Sequence, residues 1–302
     1  MSTSFSLVRH PWTIFALWIL VCSLVFWKPL YALARYAASN DNASHILVIP
    51  VIVAWLLHLD RQKITRLTFA PKAASFFAIP ALVIASVLTL APFYRPSVLL
   101  PAFIVAFLLF LVSGFVAIFG TNCAKSEWFP LAFLVFCIPL PEPLLNRFIY
   151  ALQAGSATVA GVIFDWAGVP ALRDGFIFRL PKVSIEVATE CSGIRSSIAL
   201  LILALLVAKF SFSRFWKKAV FIISGLLMMI VKNGVRIATL TILASYVDSN
   251  FLYGRLHKEG GVVFFLLGLA LLLPVYWFLR RGEAGLASSS SEATLSPSGI
   301  SH

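Results

Sequence analysis

The residues best suited to covalent chemistry lie in one short stretch, Glu190 to Ser197, at the head of an apolar run that continues to Val207. In it a thiol, that of Cys191, has a carboxylate, a guanidinium and three hydroxyls as sequence neighbours. Packing gives no reason for such groups to gather where a chain enters lipid. Two interpretations are open: these are capping groups that start a helix, or they form the head of an active site.

Two more polar positions stand out in apolar surroundings. Lys232-Asn233-Gly234-Val235-Arg236 interrupts a later apolar run, and His257 stands just before the last one. A charge at the centre of a spanning helix costs about 3 kcal/mol even on insertion scales, so Arg236 is expected to face a bundle interior or water. Lys232 lies one turn deeper and is expected to snorkel towards the inner surface.

Cys191, Arg236 and His257 together could perform acyl transfer. An imidazole can take the proton of a thiol and return it to a leaving amine. A guanidinium, which stays charged, can stabilise the thiolate and the tetrahedral oxyanion. Taken singly, Cys191 is more often a helix-start residue and His257 a solvated one. Their coincidence with Arg236 on one face makes catalysis an equal alternative.

Composition defines the class of protein. Of the 302 residues, 60% are hydrophobic and 12% are charged, whereas soluble domains carry about 25% charged residues. The formal charge of +12 is spread through short loops between apolar runs, as expected for a membrane protein whose basic loops set its topology. We therefore expect membrane lipid, and no nucleic acid, as a partner.

The four cysteines form no C-x-x-C pair, so no metal and no cofactor are predicted.

The pattern of apolar runs predicts an all-α integral membrane protein, because a spanning helix needs about 20 apolar residues. About eight transmembrane helices are expected, near Trp12–Trp27, Ile46–Leu59, Ala74–Tyr94, Ser97–Phe119, Trp128–Leu140, Cys191–Phe210, Val220–Val247 and Gly260–Phe278. Between the fifth and the sixth, the stretch Leu144–Ala167 is either an interfacial helix or a ninth span.

The segment before Cys191 predicts a β-hairpin. Two short runs with β-branched and aromatic residues flank Pro181-Lys182, and the second run alternates at Val183, Ile185 and Val187. This alternation is typical of a half-buried strand. We expect a short hairpin on the outer side, directly before the sixth span.

The distribution of basic residues predicts the orientation. Lys and Arg are concentrated in the segments that share a side with the N-terminus, which favours both termini inside and the three candidate residues towards the outer face. Residues 1–282 are predicted to form one polytopic membrane domain. Residues 283–302, rich in Ser and small residues, are predicted to be a disordered cytoplasmic tail.

Several motifs in order resemble the exosortase/archaeosortase family. They are Ser44-His45-Ile46-Leu47-Val48-Ile49-Pro50, Phe136-Cys137-Ile138-Pro139-Leu140-Pro141, Glu190-Cys191-Ser192-Gly193-Ile194-Arg195, Asn233-Gly234-Val235-Arg236 and His257 with Glu259-Gly260-Gly261. The resemblance covers about residues 40–280. Ile46 departs from it, because a glycine is common after the histidine.

The resemblance implies a membrane-embedded cysteine peptidase/transpeptidase that cleaves C-terminal sorting signals of the PEP-CTERM kind. Cys191 would be the nucleophile, Arg236 the motif arginine and His257 the third member, the histidine pointing to the bacterial exosortase side. Its partners would be exported proteins whose signal has a short motif, a transmembrane helix and a basic cluster. The location implied is the bacterial inner membrane, with the site facing the periplasm.

One alternative stays open from the residues themselves. In a polytopic carrier or assembly factor for exopolysaccharide export, Arg236 and His257 would bind an anionic or proton-coupled substrate. Such a protein would not need Cys191.

Overall fold

The computed structural model describes residues 11–64, 70–89, 96–181, 183–187, 193–248, 251 and 261–294. The chain divides into two compact units, Met1–Leu144 and Leu145–His302.

The first unit is a set of helices joined by short connections. They are α1 (Pro11–Val25), α2 (Trp27–Ser39), a 3-10 helix (Asp41–Leu47), α3 (Ile49–Leu59), α4 (Pro71–Thr89), α5 (Pro96–Ser126), α6 (Trp128–Phe133) and a second 3-10 helix (Leu134–Cys137). The axes of α1 and α2 meet at 82°. With 15 residues, α1 is about 22 Å long and is too short to cross the hydrocarbon core, about 30 Å thick, by itself.

Aromatic packing holds α1 against α5. The rings of Phe15, Phe115 and Phe119 form a buried group whose centroids lie 4.7–5.6 Å apart. The Trp18 indole donates to the Phe110 carbonyl at 2.9 Å, and a Cβ at Gly114 would collide with that indole. The absent side chain therefore lets α1 and α5 approach closely.

The second unit combines four helices and a small sheet. Its elements are α7 (Glu142–Trp166, which begins at the end of the first unit), β1 (Leu172–Asp174), β2 (Ile177–Arg179), β3 (Ser184–Glu186), α8 (Ile194–Ser211), α9 (Phe215–Tyr246) and α10 (Gly261–Thr294). The boundary at residue 282 and the disordered tail beyond it remain predictions.

The sheet confirms the predicted hairpin and adds one strand. Strands β2 and β3 pair antiparallel with Phe178 opposite Ile185, and β1 pairs antiparallel with β2 on its other edge. The sequence of β1, Leu172-Arg173-Asp174, lacks the β-branched alternation that identifies a strand. Phe178 packs against Phe164 of α7, with the ring centroids 5.2 Å apart. The sheet is thereby anchored on the helices.

Aromatic and basic side chains form pairs where the apolar part of α10 ends. Arg280 Nη1 donates to the Tyr276 hydroxyl at 2.7 Å, and the Arg281 guanidinium lies 3.2 Å from the centroid of the Trp277 ring. Such pairs are typical of a helix end at the membrane–water interface.

Six helices in the described part of the chain are long and apolar enough to cross a membrane, and the bent pair α1–α2 would be a seventh. They are Asp41–Leu59, Leu99–Ser126, Glu142–Trp166, Ile194–Ser211, Phe215–Tyr246 and Gly261–Arg281. The prediction of an all-α multi-pass membrane protein is confirmed.

The individual spans differ from the predicted set at three places. The predicted span Trp12–Trp27 contains only the 15-residue α1, which an 82° bend separates from α2. The predicted span Ala74–Tyr94, by contrast, overlaps α4 (Pro71–Thr89), and its last residues lie outside the described ones. The predicted span Trp128–Leu140 is a short helix and a 3-10 turn, because Pro139 and Pro141 stop it. Glu142–Trp166 has the length and apolar character of a span, which favours that alternative over an interfacial helix.

Candidate active site

Of the three candidate residues, only Arg236 is among the residues that the structure describes. Cys191 and His257 lie outside the described residues. Arg236 lies in the C-terminal half of α9 and is half-buried. What the structure gives for the other two is the position of the helices that begin just after them, Ile194–Ser211 after Cys191 and Gly261–Thr294 after His257.

Helix α9 runs antiparallel to both α8 and α10. Near the start of α9, Lys217 Nζ donates to the Leu279 carbonyl near the end of the apolar part of α10, at 3.1 Å. In the other half of α9, Lys232 Nζ donates to Ser196 Oγ in the first turn of α8, at 2.7 Å. The starts of α8 and α10 therefore lie at the same end of this helix group as the part of α9 that carries Arg236.

Gly193 forms the N-cap of α8 in a conformation that requires glycine. Its φ is 65° and its ψ is 22°, the left-handed region that side chains other than glycine avoid. A Cβ at this position would also lie 2.7 Å from Asn233 Oδ1 and 3.5 Å from Lys232 Nζ. Gly193, where the chain enters α8, therefore packs directly against α9.

Lys232 is buried in the bundle rather than extended to the surface, with only 1% of its surface exposed. The expectation that it snorkels is wrong, because its ammonium turns towards the first turn of α8. Ser196 Oγ, which accepts from Lys232, in turn donates to the Gly193 carbonyl at 3.0 Å. In the described part of the chain no carboxylate lies within ion-pair distance of Lys232.

The neighbouring Asn233 connects α9 to α7. Its Nδ2 donates to Ser156 Oγ at 3.0 Å, and both side chains are buried. Close approach is possible there because Gly234 has no side chain: a Cβ would lie 2.5 Å from Val159 Cβ. This contact supports the assignment of α7 to the helix bundle.

The strand that precedes Cys191 is also attached to α7. Gln153 Nε2 donates to the Val187 carbonyl at 2.8 Å, and the Val187 amide donates to the Phe176 carbonyl at 2.9 Å. Chain positions 187 and 193, on either side of Cys191, are therefore both fixed to the helices. Sequence reasoning missed Gln153 and Ser156, since nothing in a helical run marks which polar side chain will meet a loop.

The two serines after Arg195 differ sharply. Ser196 Oγ has both the Lys232 ammonium and the Gly193 carbonyl as partners. Ser197 Oγ is buried and has no hydrogen-bond partner among the residues described. Ser197 is a packing residue of α8, whereas Ser196 of α8 bonds to the polar segment of α9. Within the described ranges, no three His, Cys, Asp or Glu side chains gather in a metal-binding arrangement.

These features define a polytopic α-helical membrane protein with buried polar groups where α7, α8 and α9 meet. The model of the transmembrane exosortase family (EpsH type) matches residues 27–274, and the chain belongs to this family. Membership suggests a membrane peptidase or transpeptidase and implies protein substrates that carry sorting signals. Neither a curated protein nor a solved structure matches the chain.

Proposed function

We propose that the protein is a membrane-embedded cysteine peptidase/transpeptidase that cleaves PEP-CTERM-like C-terminal sorting signals of exported proteins. The observation that carries this proposal is the shared location of the start of α8, the start of α10 and Arg236. Chain connectivity directs Cys191 and His257 towards the same end. Three residue types suited to acyl transfer then stand on, or a few residues before, three successive helices.

The proposed reaction forms a covalent acyl-enzyme. The Cys191 thiolate attacks the scissile carbonyl, after His257 has accepted the thiol proton, and His257 returns that proton to the leaving amine. The Arg236 guanidinium stabilises the negative charge on the thiolate and on the tetrahedral oxygen. Water or an amine then takes the acyl group, and the thiol is released.

Basic residues at the opposite end of the helix group support a periplasmic site in the bacterial inner membrane. Those near the α8–α9 connection and the end of the apolar part of α10 are Lys209, Arg214, Lys217, Lys218, Arg280 and Arg281. The positive-inside bias assigns such a cluster to the cytoplasm. The scissile bond of a substrate would then lie near the periplasmic surface, with the substrate's basic cluster inside.

Processing of a reporter tests the proposal. An exported protein with a C-terminal motif, transmembrane helix and basic cluster is co-expressed with the wild-type chain or with Cys191→Ala. We expect a shortened reporter with the wild type only, at equal membrane levels of both enzymes. Cys22→Ala is the matched control, because Cys22 is a buried residue of α1. Normal processing by Cys191→Ala would refute the mechanism and favour the carrier alternative, which needs no thiol.

A further inference from the structure

Lys232 is a buried cation that the proposed reaction does not use. A charged side chain in a spanning helix is costly, and one that stays there usually serves function or pairs with another group. Its ammonium is held by a hydroxyl rather than by a carboxylate among the residues described. The question is what this ammonium does at the first turn of α8.

We propose that Lys232 is a positioning residue which, acting through Ser196, fixes the first turn of α8, two residues after Cys191 in the chain. The catalytic significance of this inference rests on the proposed function, whereas the hydrogen bonds that support it are independent of that function. Lys232 Nζ donates to Ser196 Oγ at 2.7 Å, and Ser196 Oγ donates to the Gly193 carbonyl at 3.0 Å.

The donor and acceptor in each of these two hydrogen bonds can be assigned. A serine hydroxyl has one hydrogen, and Ser196 uses it towards the Gly193 carbonyl, so the ammonium must be the donor to Ser196. The same carbonyl accepts the Ser197 amide at 2.9 Å. Gly193 is thus held through its carbonyl by two donors, and Asn233 Oδ1 and Lys232 Nζ occupy the space that a Cβ at Gly193 would need.

The stem of Lys232 connects this turn to the third helix. A Cβ at Gly268 of α10 would lie 3.1 Å from Lys232 Cδ and 3.5 Å from Leu200 Cδ2. The methylene stem therefore lies where α8 and α10 meet α9. Lys232 contacts all three helices that bear or follow the proposed catalytic residues.

A purely structural role predicts a different outcome from a positioning role. If the stem only fills space, Lys232→Met preserves it, since methionine is unbranched and apolar, and turnover stays near that of the wild type. If the ammonium positions the turn, Lys232→Met and Ser196→Ala remove the same interaction. Their effects on turnover should then not add, because the two residues act as one unit.

The test uses the full-length protein in liposomes with a reporter peptide that carries a sorting signal. The variants are Lys232→Met, Ser196→Ala, their combination, and Ser197→Ala as the control without a hydrogen-bond partner. We expect kcat to fall about tenfold to a hundredfold, as for a misplacement of about 1 Å, in the first three alike. KM should change little, and Ser197→Ala should behave as the wild type.

A second measurement separates this inference from the proposed function. The rate of maleimide labelling of Cys191, in a background with Cys22, Cys123 and Cys137 replaced by alanine, reports on the turn without any turnover. Lys232→Met and Ser196→Ala should shift this rate together, and Ser197→Ala should not. Should Lys232→Met fail to insert, Ser196→Ala, which removes a single oxygen, carries both measurements.

Several outcomes would overturn the inference. They are wild-type kcat and labelling in Lys232→Met, effects of Lys232→Met and Ser196→Ala that add, and an equal loss in Ser197→Ala. Activity in Cys191→Ala would instead reject the proposed function, while a labelling shift shared by Lys232→Met and Ser196→Ala would still support the positioning of the turn.

Discussion

Ser156 and Asn233, 77 residues apart in the chain, are joined by a buried hydrogen bond of 3.0 Å. The bond connects the middle of α7 to the polar segment of α9. It lies one residue away from Lys232, which holds the start of α8. Adjacent residues of α9 therefore link it to α7 and to α8, and the two links can be tested separately.

The first prediction concerns this bond. Ser156→Ala removes the acceptor of this buried hydrogen bond, and the loss of one buried partner costs about 1–3 kcal/mol. We expect the free energy of unfolding in detergent to fall by that amount. Ser224→Ala is the control, because Ser224 is exposed and bonds only to the Val220 carbonyl of its own helix. Equal stability of the two variants would contradict the prediction.

The second prediction concerns Gly193. Gly193→Ala introduces a positive-φ strain of about 1 kcal/mol and a collision with Asn233 Oδ1. We expect loss of substrate processing with a modest loss of stability. Gly175→Ala is matched for backbone strain, since its φ is 61° and nothing lies within 4 Å of the added Cβ. If Gly175→Ala impairs processing as much, close packing at Gly193 is not the cause.

The third prediction concerns the attachment of the strand before Cys191. Gln153→Leu removes the donor to the Val187 carbonyl, at a cost of about 1–3 kcal/mol for a buried acceptor left unsatisfied. We expect faster proteolytic cleavage between residues 187 and 193 and a lower kcat. Asn146→Leu provides the comparison, because Asn146 is on the same helix and is exposed. Unchanged cleavage in Gln153→Leu would show that this bond does not hold the segment.

The fourth prediction concerns Arg236 and follows from the proposed function. Arg236→Lys retains the charge but loses the planar, forked set of donors that can bind an oxyanion through two hydrogen bonds. We expect processing of the reporter to be lost while the protein still inserts in the membrane. Wild-type turnover in Arg236→Lys would remove Arg236 from the catalytic group.

The sequence predicted those features that repeat along the chain. Apolar length located α8, α9 and α10, and alternation at Val183, Ile185 and Val187 located the second hairpin strand. The class of protein followed from the same apolar pattern, and the family from the order of the motifs that resemble it. Each of these rests on periodicity or chain order, which one sequence displays directly.

Features that depend on contacts between distant residues were not predictable in this way. The direction of the Lys232 side chain is set by Ser196, 36 residues earlier, and a hydropathy pattern does not show which surface a long side chain reaches. Pairing with β2 stabilises strand β1, although its own residues do not favour a strand. Polar residues in Leu144–Ala167 made α7 ambiguous, and its packing through Gly234 and Asn233 was not visible in the sequence.

The paired aromatic and basic side chains at the end of α10 also have a consequence for the lipid environment. From Gly261 to Arg281 this helix has 21 residues, or about 31 Å, which equals the hydrocarbon thickness of an average bilayer. With Trp277 and Arg281 anchored at one interface, Gly261 would lie at the opposite one. A thicker bilayer would draw the start of α10 into the acyl region at a cost of a fraction of a kcal/mol per ångström. Bilayer thickness therefore sets the depth of Gly261, from which the described part of α10 continues.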